Sequence, residues 1–246
     1  MRLNLIAVCT AIILLLPLTG AAQGVDNSIY KALLENHVKN NRVSYDGFQR
    51  DQALLDQYLD ILSAVDPDTL GRNHRFAFYM NAYNAFTIKL ILTRYPEINS
   101  IKEIGSFFSG PWSKKFISLN GRNVSLDYIE HEVLRPVFKD PRVHFAINCA
   151  AKSCPPLFNR PFEGDRLETQ LDQLTRGFIN DPKSTFVKDN TLFVSKIFDW
   201  FDEDFNDNPL HFVRQYAGER LKKDLAAAGS DIRVSYLRYD WSLNRR

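Results

Sequence analysis

The richest chemistry in this chain stands in one short segment, His144-Phe-Ala-Ile-Asn-Cys149-Ala-Ala-Lys-Ser-Cys154. A thiolate is a strong nucleophile, and a small-residue turn with Lys152 nearby favours its formation. Cys149 is therefore a candidate nucleophile, and His144 is its candidate base. The same spacing permits a Cys149–Cys154 disulfide, since four intervening residues let the Cα atoms approach to about 5–6 Å. So small a loop gains only about 2 kcal/mol from the bridge. A redox pair is the third reading, although the spacing exceeds that of a Cys-x-x-Cys motif. Arg142–Asn148 reads as a buried strand. On a strand His144 and Cys149 face opposite sides, so His144 reaches Cys149 only if the strand ends first.

Other side chains offer supporting chemistry. His131 lies four residues after Asp127 on an expected helix, where the acid could orient the imidazole or simply support the helix as an exposed pair. His131-Glu-Val-Leu-Arg135 begins like a zinc-protease helix, but Arg135 stands where the second histidine must be. With five scattered histidines, the sequence implies neither a metal site nor a cofactor. Asn81 and Asn84 interrupt an otherwise apolar helix, and such buried amides need partners. Asn81 could orient a substrate, Asn84 could line a cleft, and either could be satisfied by backbone. Arg142 and Lys152 flank the cysteine segment as candidate contacts for an anionic group or as solvated charge. The acidic run 199–207 lacks the glycine and alternating oxygens of a calcium loop and reads as helix-start chemistry.

These residues must be positioned by a folded domain that follows a leader. The start is basic, the run from Leu5 to Leu16 is apolar, and Pro17-Leu-Thr-Gly-Ala-Ala is rich in small residues, the order of a signal peptide. The expected organisation is a signal peptide over residues 1–23 and a single domain over 24–246, periplasmic or secreted, with Cys9 removed. The apolar run is shorter than a membrane span, so no stable membrane insertion is expected after cleavage. Loss of Arg2 leaves 30 basic against 29 acidic residues, a balance that gives no reason to expect nucleic acid. Any partner must be selected by a site, as a small-molecule or peptide ligand would be.

Amphipathic helices are expected near 28–39 and 54–62, followed by a helix from about 74 to 95 that is apolar nearly all round and hence buried at the centre. Asn120-Gly121 predicts a tight hairpin between strands 115–119 and 122–125. Ser125 should cap a helix over 126–134 that Pro136 stops. Later come a helix near 165–180, a hairpin over 184–194, short helices near 197–205 and 210–228, and a final strand over 232–241. The expected class is α+β: a mainly helical domain around the central helix, with a small and mostly antiparallel sheet.

Four stretches in order resemble the domain of unknown function 547 family. They are Arg75-Phe-Ala-Phe-Tyr-Met-Asn81-Ala-Tyr-Asn84, Ser125-Leu-Asp-Tyr-Ile-Glu130-His131, Asp140-Pro-Arg-Val-His144 through Cys154-Pro-Pro, and Ser195-Lys-Ile-Phe-Asp-Trp200 with Asp204-Phe205. The resemblance implies a domain rather than a named reaction. A weaker likeness is to papain-like and transglutaminase-like folds, where the cysteine usually begins the central helix; here that helix offers Asn81 and no thiol. Two functions follow as expectations. One is a thiol-dependent hydrolase or acyl transferase using Cys149, with His144 or His131 as base. The other is a non-enzymatic binding or structural module with a Cys149–Cys154 disulfide.

Overall fold

The computed structural model describes residues 24–105 and 109–246, so the expected signal peptide and residues 106–108 of the loop after Gly105 lie outside the description. Helices α1 (Ser28–His37), α2 (Tyr45–Arg50) and α3 (Gln52–Ala64) precede the long α4 (Arg72–Leu92). Between α1 and α2 a short hairpin, β1 (Val38–Lys39) with β2 (Arg42–Val43), turns through Asn40 and Asn41, both at positive φ. From Phe76 onward nearly every side chain of α4 is buried, as its all-round apolar pattern requires. The helices α2 and α3 pack on it, as does the segment Tyr128–Phe138. The hairpin of β3 (Ile117–Leu119) and β4 (Arg122–Val124) forms in the expected place, with Asn120 and Gly121 at φ +45° and +72°.

The second half builds a smaller apolar cluster. Here α5 (Leu167–Ile179) is followed by β5 (Thr185–Lys188) and β6 (Thr191–Val194), an antiparallel pair joined by Asp189 and Asn190. Then come α6 (Ile197–Trp200), α7 (Pro209–Tyr216) and α8 (Glu219–Ala227), and β7 (Arg233–Tyr236) adds parallel to β6. Among the described residues the fold is α+β, helical with three small sheets. No helix among the described residues is long and apolar enough to cross a membrane.

Three expectations are corrected. Residues 142–148 are not a strand: Pro141–Phe145 forms a 3-10 helix, with Pro141 at its first position and Asp140 accepting from the Arg142 N–H at 3.0 Å. That start chemistry outweighs the apolar run. The helix after Ser125 runs on through Pro136 to Phe138 in π-helical register and ends at Lys139 in the left-handed region. Ser125 Oγ still caps it, accepting from the Tyr128 N–H at 3.1 Å. The final strand spans only 233–236; the chain beyond Tyr236 leaves the sheet and pairs with the cysteine segment instead.

Candidate functional site

The cysteine segment is held from both ends. Asn84 of α4 uses its whole amide, donating to the Ala146 carbonyl at 3.0 Å and accepting from the Asn148 N–H at 2.8 Å. Asn148 then donates to the Pro155 carbonyl at 2.7 Å and accepts from the Ala150 N–H at 2.9 Å, closing the segment on itself. The C-terminal tail braces it from outside, with Lys152 N–H to the Ser242 carbonyl at 2.9 Å and Asn244 N–H to the Ala150 carbonyl at 3.0 Å. Ala150, fully buried, sits at φ +62°. A non-glycine residue there costs on the order of 1–2 kcal/mol, so the surrounding bonds over-determine the turn that presents Cys149.

Cys149 and Cys154 are free thiols with their sulfurs 2.9 Å apart. The Cys149 N–H donates to Cys154 Sγ at 2.9 Å, and Tyr239 Oη lies 3.2 Å from Cys149 Sγ. The two thiols diverge in acidity. A hydrogen bond from Cys154 holds Cys149 below the ordinary thiol value against the opposing effect of burial, and Tyr239 and the Ala151 N–H add to the lowering. Burial pushes Cys154 well above that value, and donation to Cys149 pushes it further. Cys149 is thus the more acidic thiol of the pair, and Cys154 the one that donates to it. Burial, with the neighbouring thiols, also raises the Tyr239 phenol, which keeps its proton and remains a donor.

His144 is buried and bonds through Nε2 to Asp204 Oδ2 at 2.6 Å, while the Phe201 ring stacks on it with centroids 4.1 Å apart. Its Nδ1 makes no hydrogen bond to any described residue. Asp204 also accepts from Arg135 Nε at 2.5 Å. Burial alone would raise this carboxyl, yet His144 and Arg135 together lower it to about 2. Arg135 further bonds Glu203 and approaches His131 Nδ1 at 3.1 Å.

His144, Cys149 and Cys154 line one cavity of roughly 190 Å³, together with His131, Asp127 and Glu130. Because the backbone at His144 is helical, the strand alternation that separated it from Cys149 does not apply. The remaining expected site residues go elsewhere. Asn81 donates to the Phe162 carbonyl at 2.9 Å and accepts from its N–H at 2.8 Å, away from the thiols. Arg142 is engaged by Asp140, Glu168 and Asp172. Lys152 lines a second depression, which shares Cys154 and Tyr239 with the cavity.

Sequence reasoning missed Asp204, Glu130, Tyr239 and the three tryptophans that wall the cavity, Trp112, Trp200 and Trp241. The spacing of Asp127, Glu130 and His131 puts Glu130 on the cavity face and could have found it. Tyr239 had no local signal. Among the described residues, no group of three or more His, Cys, Asp or Glu side chains is placed to hold a metal ion.

The fold and the site together define an α+β domain with a cysteine, a histidine and a carboxylate arranged at an aromatic cavity. Residues 67–179 match the model of the DUF547 family, described as a protein of unknown function, which supports the family resemblance. The match contains α4, the cysteine segment and α5; Asp204 and Tyr239 lie beyond it. No curated protein and no solved structure gives a match.

Proposed function

We propose that this chain is an exported thiol-dependent hydrolase or acyl transferase with Cys149 as its nucleophile. One observation carries the reading: the thiol held below its ordinary value opens on the same cavity as a histidine whose far nitrogen is fixed by a carboxylate. The Cys149 thiolate attacks an acyl carbon, forming a C–S bond while the carbonyl electrons move to oxygen. As the carbonyl re-forms, the leaving group departs with the proton that His144 has taken from the Cys149 thiol, while His144 Nε2 stays on Asp204. Water or another acceptor then attacks the thioester, returns the proton to His144 and frees the thiolate. Tyr239, a protonated donor beside the sulfur, can bond the thiolate or the developing oxyanion. The apolar N-terminal run supports export, and the cavity volume suits a small ligand or one side chain of a peptide.

The test is acylation of the reduced protein by p-nitrophenyl acetate, with mass spectrometry of the Cys149 peptide and a pH profile of iodoacetamide labelling. The expected result is a rapid single acetylation at Cys149 and a labelling midpoint below the ordinary 8.5 or so. A midpoint at or above that value, or acetylation scattered over lysines, overturns the proposal.

A second reading rests on the 2.9 Å sulfur contact. In it the pair is a structural disulfide of a non-enzymatic binding module. A bridge that mild reductant does not open, with stability lowered by about 2 kcal/mol but ligand binding unchanged in the Cys149→Ser, Cys154→Ser double variant, would favour it.

A further inference from the structure

The cavity wall carries more information than the thiol chemistry uses. Trp112, Trp200 and Trp241 are the chain's only tryptophans, and all three line it. Trp200 and Tyr239 lie 4.7 Å apart at 56°, Tyr239 and Trp241 4.6 Å apart at 49°, and Trp200 and Trp241 5.5 Å apart at 28°. Rings at such distances pack against one another into one continuous aromatic wall. Trp200 is 42% exposed, so its indole is held open instead of being spent on the core.

The charges of the same wall are one-sided. Asp127 and Glu130 line the cavity, and among the described residues no lysine or arginine does. The nearest guanidinium, on Arg135, is taken up by Asp204 and Glu203. The other titratable groups facing in are His131, His144, the phenols of Tyr83 and Tyr239 and the two thiols. The rings also show their preference within the chain: the Lys102 ammonium, outside the lining itself, sits 3.8 Å from the Trp241 ring centroid and occupies one face of that ring.

We propose that the substrate of this site carries an alkylammonium group, held by the faces of Trp200 and Tyr239 and balanced by Asp127 and Glu130. The inference rests on the cavity being the substrate site, but cation capture needs no thiol, so the two readings fail separately. Aromatic faces attract a cation through the ring quadrupole, and carboxylates at the same wall add to the attraction.

Because every tryptophan lies in this wall, intrinsic fluorescence reads occupancy directly. The folded chain would be titrated at constant ionic strength with choline and, separately, with its neutral isostere 3,3-dimethylbutan-1-ol. The expected result is a saturable change with choline, at least about tenfold tighter than with the alcohol, since a cation–π contact of about 1.4 kcal/mol is worth one decade. The Asp127→Asn, Glu130→Gln variant, checked for folding by circular dichroism, should lose most of that preference while still binding the alcohol. Equal affinities for the two probes, or no saturation with choline, overturn the inference. In Cys149→Ser the choline response should persist. If it does while the wild type shows no acylation at Cys149, the cation site stands and the nucleophile fails; acylation without choline preference gives the reverse.

Discussion

Replacing Asp204 by asparagine tests the site most directly, because that one side chain holds both His144 and Arg135. A carboxyl at about 2, against the usual 3.9 or so, corresponds to at most about 2.5 kcal/mol of folding stability. Its side chain is 23% exposed and only partly buried, so solvent screening cuts this to about 1 kcal/mol. Arg135 keeps Glu203, so no cation is stranded. Urea unfolding at pH 7 should therefore show a loss of about 1 kcal/mol and an intact fold. The folded value is depressed, so the stabilisation is present above about pH 4 and is lost as pH falls toward 2; wild type and variant should converge there. The chemical effect should be far larger. An amide still bonds the ring but does not stabilise the imidazolium, and acylation of Cys149 should fall by roughly 10²–10⁴. Acylation within about threefold of wild type, in a variant that folds, would show that His144 and Asp204 play no part in proton transfer.

Asn84→Ala leaves a buried carbonyl and a buried N–H without partners and should cost about 2–4 kcal/mol in thermal or urea unfolding, with altered Cys149 labelling as its segment loosens. Asn81→Ala should destabilise comparably and leave the labelling rate per folded molecule unchanged, because its bonds go to Phe162. Tyr239→Phe removes a hydrogen bond to the thiolate. Iodoacetamide labelling of Cys149 at pH 7 should slow about tenfold, the equivalent of roughly 1.4 kcal/mol, with little change in stability. Arg142→Met takes the shared cation from Asp140, Glu168 and Asp172 and should cost about 2–3 kcal/mol by denaturant unfolding, with choline binding unaffected.

What was legible in the residues was local. The all-round apolar run of α4, the Asn120-Gly121 hairpin and the Ser125 cap each depend on neighbours within a few positions, and each forms in its expected place. The failures also have local causes. Asp140-Pro141 starts a 3-10 helix inside a run that hydropathy reads as a strand, and π-helical register carries a helix through Pro136. The acidic run 199–207 could be read as helix-start chemistry because nothing in its own spacing pairs Asp204 with a histidine 60 positions earlier.

The sequence by itself determined which residue types carry the chemistry and where the polar interruptions of the core fall, because cysteine, histidine and buried asparagine are few and their demands strict. It did not determine which of them meet. Only the tertiary structure sent Asn84 to the cysteine segment and Asn81 to Phe162, although the two amides stand three residues apart on one helix. It also delivered Asp204 from the 3-10 turn after α6, and Tyr239 from the tail that leaves β7, to the thiols and His144. Those meetings span 60 to 90 positions. Their partners are set by how the elements around two apolar clusters are packed rather than by any pattern along the chain.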